Sequence, residues 1–278
     1  MSTYIVAVSG GIDSVALLHM MAQLSTQHEI VVAHFDHGIR EDSEEDARFV
    51  AALASHYQLP FQTARVELGS QASEDQARTA RYSFLKEVAA RHEATIVTAH
   101  HKDDVIESIA INLHRGTGWR GLATHGSEHS RPLLGYTKEQ LRQYVQHHQL
   151  EWREDSTNQT DAYLRNRIRH VTATLPDDKK QALLDLRKRQ IAQRQKIDRE
   201  VQRLIGDPIH VSRYFFTHIP KVTAIECLRY LTKGKLTRPQ LERTLTAIKT
   251  MHSGKKYEAG NGVALHFTTR NFSLSLIK

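Results

Sequence analysis

Residues 3–21 read TYIVAVSGGIDSVALLHMM, and this stretch organises the rest of the chain. Residues 3–8 are apolar and rich in β-branched side chains, which is typical of a strand covered on both faces. Gly10 and Gly11 allow positive φ angles and let the backbone approach a ligand closely. Apolar residues at helical spacing follow from Val15. We therefore expect a strand, a tight turn and a helix whose N-terminus offers an anion site.

The side chains of the turn add polar groups to this anion site. Ser9 and Ser14 supply hydroxyls, and Asp13 is placed to cap the helix. The spacing excludes a Walker loop, which needs a lysine after its glycines, and a dinucleotide loop, whose glycines are separated. A loop that holds the phosphates of a nucleotide and an ordinary strand-to-helix turn both remain open at this point.

The composition is that of an ordinary globular protein, with 278 residues, 40% hydrophobic residues and a net charge of +7. No apolar run is long enough for a membrane span and the N-terminus lacks a secretory pattern, so we expect a cytoplasmic protein without membrane association. The single cysteine, Cys227, excludes an internal disulfide and predicts a buried thiol. The positive charge favours a polyanionic partner.

Strands and helices alternate over the first half of the chain. We expect further strands at 30–35, 61–66 and 94–99, and helices at 41–57, 73–92, 103–113 and 137–148. This order predicts an α/β fold with a doubly wound parallel sheet, in which ligands bind beyond the carboxyl ends of the strands. Residues 132–134 are a candidate for another strand, and residues 116–126 for a glycine-rich lid loop.

The character of the chain changes near a long basic segment. Residues 179–203 carry nine Lys or Arg and three acidic residues, which indicates either a helix that contacts nucleic acid or a solvated helix face. Short helices and antiparallel strands follow, with Asn261 and Gly262 as a hairpin turn. We place a boundary between 185 and 186, which separates the α/β domain from a second, smaller, mostly helical domain.

Polar clusters follow two of the predicted strands at the same edge of the sheet. His34, Asp36 and His37 end the second strand, and residues 100–104, HHKDD, follow the fourth. A carboxylate such as Asp36 beside polyphosphate suits a Mg²⁺ ligand or a group that orients a nucleophile, although Asp is also common in turns. Because these clusters converge, the phosphate interpretation of the glycine turn is favoured over a purely structural one.

Asp103, Asp104 and Glu107 form an acidic patch on the first turns of one helix. Such a patch can hold Mg²⁺ or a cationic substrate, or can simply match the helix dipole. The neighbouring histidines suggest zinc less strongly, since structural zinc sites usually include cysteine. The arginines at 40, 115, 165 and 167 are candidates for phosphate contacts.

Taken together, these segments resemble a known family. The loop Ser9–Ser14 resembles the pyrophosphate loop of N-type ATP pyrophosphatases. With residues 34–40, 98–107, 115–118, 154–158 and 165–169, the chain resembles the tRNA(Ile)-lysidine synthases. The basic helix and residues 222–251 resemble the tRNA-contacting middle domain of that family. The departures are mild, with Ile39 where leucine is commoner and Ser108 where threonine is common.

The resemblance implies an adenine nucleotide alpha hydrolase-like fold, with 1–185 as the catalytic domain and 186–278 as a basic helical linker and small α+β tRNA-binding domain. It implies an ATP- and Mg²⁺-dependent ligase. Such an enzyme adenylates the wobble cytidine, position 34, of a tRNA(Ile) with a CAU anticodon. Free L-lysine then displaces AMP, and the products are lysidine, AMP and diphosphate. A homodimer is a further expectation.

The resemblance also assigns roles to residues. The catalytic candidates are Asp36, Arg115 and Glu107, with Asp36 also the Mg²⁺ candidate. The ATP-binding candidates are Ser9, Gly10, Gly11, Ile12, Asp13, Ser14 and His34. The candidates for lysine or Mg²⁺ are Asp103, Asp104 and Glu107. The tRNA candidates are Arg165, Arg167, Arg169, Arg187, Lys188, Arg189 and Arg194.

Two other classes of function compete with this one. A tRNA thiolase of the same superfamily would need paired cysteines or an iron–sulfur cluster, and a glutamine-dependent synthetase would need a glutaminase domain; the sequence offers neither. A nucleotide-sensing or tRNA-binding protein without catalysis is the third reading. The acidic patch beside the loop argues against it.

Overall fold

The computed structural model describes the chain apart from residues 39–42, 70–72, 124–128, 155–163, 207 and 277–278, and apart from the side chains of residues 74 and 164–166. The chain divides into two compact units, Met1–Gln190 and Ile191–Lys278. Within the described ranges, no helix is both long enough and apolar enough to cross a bilayer.

The first unit begins with alternating strands and helices and continues with helices. The alternating elements are β1 (Thr3–Ala7), α1 (Ile12–Ala22), β2 (Glu29–Asp36), α2 (Ser43–His56), β3 (Phe61–Arg65), α3 (Glu74–Arg91) and β4 (Thr95–Val97). The helices that follow are α4 (Lys102–His114), α5 (Gly118–Leu122), α6 (Lys138–His147), α7 (Leu164–Ala173) and α8 (Asp177–Ile205), the last of which continues into the second unit.

The four strands of the first unit form a parallel sheet in the order β3-β2-β1-β4. Successive residues of β1 are buried on opposite faces, with Ile5 packed in a core with Leu85 of α3 and Val6 in a core with Leu17 of α1 and Leu141 of α6. Helices therefore cover both faces of the sheet, because its central strand β1 is apolar on both sides. This confirms the predicted α/β fold with a doubly wound parallel sheet.

The strand order contains a reversal beside β1. The chain moves outward from β1 to β2 and β3, and then crosses back to place β4 on the other side of β1. In open parallel sheets, the carboxyl ends of the two strands at such a switch point form a crevice that binds ligands. Here these strands lead into the glycine turn at Gly10 and Gly11 and into His100 and His101.

The strand predicted at 132–134 was wrong, and the predicted glycine-rich loop is helical in part, while its role as a lid stays a prediction. Residues 132–134 form the start of a 3₁₀ helix, Pro132–Gly135, and the pairing next to β4 is made by Ser130, which bridges Val97. Pro132 has no N–H for a strand ladder, which explains the difference. The expected lid loop contains helix α5 at its centre, and residues 124–126 of that prediction lie outside the described part of the chain.

The second unit packs helices against an antiparallel sheet. Its elements after α8 are β5 (Val211–Ser212), α9 (Arg213–His218), α10 (Lys221–Leu231), α11 (Arg238–Thr250), β6 (Lys256–Gly260), β7 (Val263–Phe267) and β8 (Asn271–Leu276), with strand order β5-β8-β7-β6. Asn261 and Gly262 both have positive φ, which confirms the predicted hairpin turn. Phe216, Leu228 and Phe272 are fully buried in the core.

Candidate active site

The glycine turn is held by hydrogen bonds between its own residues, and no side chain in the described part of the chain caps the start of α1. Gly10 has a φ of +90°, and Gly11 is the N-cap residue without a side-chain hydrogen bond to the first turn. The Ser14 hydroxyl donates to the Gly11 carbonyl at 2.8 Å, and the Ser9 amide donates to the Ser14 hydroxyl at 3.2 Å. The first N–H groups of α1 are therefore available to an anion.

Asp13 does not cap α1, contrary to the expectation from the sequence, because it lies inside the first turn. Its Oδ2 atom instead accepts from the Lys138 ammonium at 2.6 Å and lies 3.7 Å from Nε2 of His101. Its Oδ1 atom is buried and has no hydrogen-bond partner among the described residues. Asp13 thus joins the turn to the starts of α4 and α6, and its Oδ1 atom has unused capacity to accept a hydrogen bond.

His101 and Asp104 cap α4 reciprocally. Nδ1 of His101 accepts from the Asp103 amide at 3.2 Å, and the Asp104 carboxylate accepts from the His101 amide at 2.8 Å. The Asp103 carboxylate accepts from the Lys138 amide at 2.8 Å, which fixes the start of α6 against α4. Part of the predicted acidic patch is therefore explained by the start of the helix itself.

Charges in this region change the pKa values of two groups. The hydrogen bond with His101 is the main reason that the pKa of Asp103 falls to about 2, with a smaller contribution from the Lys138 amide. Burial alone would lower the pKa of His101, but the hydrogen bond with Asp103 and the charges of Asp104 and Asp13 raise it above its usual value. Protonation of His101 therefore exchanges its helix-capping role for ion pairs.

Glu107 is buried one turn further along α4 and pairs with Arg169 of α7. The guanidinium Nε lies 2.9 Å from a Glu107 carboxylate oxygen. Burial opposes the charge of Arg169, yet the hydrogen bond that it donates to Glu107 and the charges of Glu107, Asp104 and Asp13 raise its pKa. We call Asp13, Asp103, Asp104 and Glu107 the carboxylate cluster, since shared cations connect all four.

Asp36 lies at the carboxyl end of β2, where it is 5% exposed and well supplied with donors. It accepts from the Gly38 amide at 2.9 Å and from the Ser43 hydroxyl at 3.1 Å, and a guanidinium nitrogen of Arg65 lies 3.3 Å away. A carboxylate that already accepts from three donors has little remaining capacity to bind a cation. Its expected role as Mg²⁺ ligand or orienting group stays a prediction.

The histidines near the site have local partners. His34 is buried, and its Nδ1 donates to the Val8 carbonyl at 2.8 Å, which leaves Nε2 as an acceptor. His100 bonds Thr98 through Nδ1 at 2.9 Å, and burial together with the charge of Arg131 lowers its pKa to about 4. No group of metal-binding residues occurs in the part of the chain that the structure describes.

The remaining predicted residues lie on helices. Arg115 is the exposed C-cap residue of α4, and Arg167 is exposed on α7, whereas the side chain of Arg165 lies outside the described residues. On α8, Lys188 and Arg189 are exposed, Arg187 is half-buried, and Arg194 pairs with Asp198 at 3.4 Å. The catalytic role predicted for Arg115 and the tRNA contacts predicted for the other residues stay predictions.

Two residues that contact the site were not predicted. Lys138 binds Asp13 and Asp103 as described above, and the Arg153 amide donates to the Gly10 carbonyl at 3.0 Å. The Arg153 guanidinium also pairs with Asp46 and Glu45 at the start of α2. The sequence predicts that α6 begins near Thr137, but partners more than 100 residues away leave no local signal.

The comparisons with known proteins agree with this geometry. A family model described as a PP-loop domain, ATP_bind_3, matches residues 1–175. The fold and the site are those of a PP-loop protein. A tRNA(Ile)-lysidine synthase of Thermotoga maritima is 31% identical over 96% of this chain and 68% of its own length. The chain belongs to the tRNA(Ile)-lysidine synthase family.

Other relatives define how far the likeness extends. A tRNA(Ile)-lysidine synthase of Enterococcus faecalis is 41% identical, covering 66% of this chain and 42% of the relative, so the chain spans less than half of that protein's length. The solved U34-tRNA thiolase NcsA of Methanococcus maripaludis has a TM-score of 0.59 at 14% identity, covering 69% of this chain and 73% of that chain. This last likeness shows the fold alone.

The single cysteine does not favour thiolase chemistry. Cys227 is buried in the second unit, and burial together with the charge of Glu226 raises the pKa of its thiol to about 11. A thiol in this state is a poor nucleophile at neutral pH, because the thiolate is the reactive form.

Proposed function

We propose that this protein ligates lysine to C2 of the cytidine at position 34 of a CAU-anticodon tRNA(Ile), with ATP as the activating substrate. The position of the Asp13 carboxylate is the observation that supports this proposal. Its carboxylate connects the glycine turn, which suits a polyphosphate, to the carboxylate cluster, which suits an ammonium. One crevice thereby supports both halves of the reaction, activation and amine transfer.

In the first half, the turn binds the phosphates of ATP through the N–H groups at the start of α1. The cytidine O2 attacks the α-phosphorus, the bond to the β-phosphate bridge breaks, and diphosphate leaves as C2 becomes an adenylate. Ser9 and Ser14 hold the turn in shape, and Nε2 of His34 is an acceptor for the nucleotide. Arg115, exposed at the end of α4, is the candidate cation for the adenylate.

Mg²⁺ fits the donors of this crevice better at Asp13 than at Asp36. The Asp13 Oδ1 atom is buried without a partner among the described residues, whereas Asp36 already accepts from Gly38 and Ser43. When bound, Mg²⁺ supplies positive charge that offsets the charge of the phosphates. Asp36 then remains the candidate for orienting the groups that follow β2.

In the second half, the carboxylate cluster binds the lysine. The ε-ammonium of lysine first loses a proton to the solvent, and the neutral nitrogen attacks C2. The C2–O bond to AMP breaks, AMP leaves, and the nitrogen passes a second proton to the solvent. Asp103 and Asp104 lie at the start of α4, and Glu107 is held by Arg169 one turn further on. The exposed cations of α7 and α8, including Arg167, contact the tRNA in this proposal.

The test mixes the full chain with ATP, Mg²⁺, labelled lysine and a tRNA(Ile) transcript that carries a CAU anticodon. We expect label to enter the tRNA, and Asp13→Asn to lower this rate by at least about 100-fold. The matched control Asp185→Asn, an exposed carboxylate on α8, should leave the rate unchanged. If ATP binds but no lysine enters the tRNA, the chain is a binding protein and the proposed activity is wrong.

A further inference from the structure

Four arginines from three segments act on one region at the carboxyl edge of the first unit's sheet, and two of them lie over an aromatic ring. Arg78 and Arg81 belong to the first turns of α3, Arg131 follows the bridge to β4, and Arg187 lies on α8. We call them the arginine cluster. The Cζ atoms of Arg78 and Arg81 lie 4.8 and 5.5 Å from the ring centre of Tyr82.

Two polar atoms in this region are buried without a partner. The Tyr82 hydroxyl and Nε of Arg131 have no hydrogen-bond partner among the described residues. The Tyr82 ring stacks on His129, two residues before Arg131, with ring centres 5.0 Å apart and an angle of 15°. Both atoms can donate a hydrogen bond, so an acceptor is the missing partner.

The charges in this region repel one another. Burial and the charge of Arg131 lower the pKa of His100, and Arg78 and Arg81 add smaller contributions of the same sign. Burial and Arg131 also lower the pKa of Arg187. Asp104 is the carboxylate that acts on His100 in the opposite direction. Arg131, Arg78 and Arg81 therefore place positive potential at His100, and such a potential favours the binding of an anion.

We propose that the arginine cluster binds a backbone phosphate of the RNA substrate, beside the carboxylate cluster. The inference rests on the proposed function. Guanidinium groups next to aromatic rings are typical of surfaces that bind nucleic acid. Four arginines exceed what the single carboxylate of an amino acid requires, and Arg81 is exposed, which suits a polymer that passes over the surface.

The test measures how the affinity for the tRNA transcript depends on salt. Arg78→Gln and Arg131→Gln should each weaken binding by about 3–10-fold and reduce the salt slope by about 1, as the loss of a phosphate contact does. Arg131→Lys keeps the charge and should retain most of the slope. The matched control is Arg91→Gln, an exposed arginine about 20 Å further along α3, which should change neither value.

The outcomes separate this inference from the proposed function. Unchanged tRNA affinity and slope in both Gln variants, in chains that still incorporate lysine, would overturn the phosphate site and leave the activity in place. A raised KM for lysine with unchanged tRNA affinity would assign the cluster to the amino-acid carboxylate instead. A reduced slope in a wild-type chain that transfers no lysine would support the phosphate site and contradict the activity. Thermal melting of each variant identifies any that fails to fold.

Discussion

At the scale of single residues, the buried carboxylate of Asp36 is held by Gly38, Ser43 and Arg65. Asp36→Asn keeps one acceptor but removes the charge that faces Arg65. We expect the free energy of unfolding to fall by roughly 1–2 kcal/mol, because a buried hydrogen bond to a charged group is weakened. Urea unfolding measures this, with Asp185→Asn as a control that should change it by less than about 0.5 kcal/mol.

The same variant separates the two roles considered for Asp36. If lysine incorporation by Asp36→Asn falls only as much as the fraction of folded protein falls, Asp36 has a structural role alone. A loss of lysine incorporation in fully folded Asp36→Asn supports the orienting role beside the nucleotide. Full stability together with full activity would contradict both expectations.

His19 gives the fold a dependence on pH. Its Nδ1 bonds the Tyr144 hydroxyl at 2.7 Å, and burial together with the charge of His148 lowers its pKa. A histidine whose pKa is lowered by folding adds stability above its unfolded value near 6.5, and this stability is lost as the pH falls below that value.

We therefore expect His19→Gln to reduce the change in unfolding free energy between pH 7.5 and pH 5. Gln keeps a polar contact to Tyr144 but takes up no proton. Denaturant unfolding at the two pH values measures the difference. The exposed His114→Gln should keep the wild-type dependence, and an equal change in both variants would show that His19 is not the group responsible.

At the scale of elements, helix α6 positions a cation for the crevice. Thr137 and Gln140 form a capping box at its start. Lys138, the residue after Thr137, binds Asp13 and Asp103. Thr137→Ala should cost about 1 kcal/mol of stability. It should also lower lysine incorporation beyond the effect on folding, because Lys138 loses its fixed backbone.

The control for this prediction is Ser83→Ala, an exposed serine inside α3 for which Ala is the better helix former. It should be neutral or slightly stabilising in thermal melting. If Thr137→Ala leaves both the melting temperature and the activity unchanged, the capping box does not position Lys138.

The helices and strands also show which features of the structure can be predicted from the sequence. The apolar strands, the glycine turn and the capping boxes are local patterns, so the positions of β1 to β4 and of α3, α4 and α6 follow from short windows. The pairs Asp13–Lys138 and Glu107–Arg169 join residues 125 and 62 positions apart. Such pairs depend on how helices pack, which no local pattern encodes. The sequence therefore indicates an acidic patch but not its cations.

At the scale of the molecule, the order β3-β2-β1-β4 decides which motifs become neighbours. The predicted alternation of strands and helices implied one edge with polar residues, but not which strands are neighbours. The reversal beside β1 brings the glycine turn next to His101, and this adjacency makes Asp13 part of both regions. A different strand order would have left the same motifs apart.

The carboxylate cluster carries its own cations. Among the described residues, Lys138 and Arg169 already hold oxygens of Asp13 and Glu107, and His101 can add a third charge. In the proposed reaction, the ammonium of lysine therefore enters by exchange, since it displaces Lys138 or Arg169 from a carboxylate. The affinity is then a difference between two ion pairs. Charge nearly cancels in that difference, so the proposal predicts that the length and shape of the amine, more than its charge, decide which substrate binds.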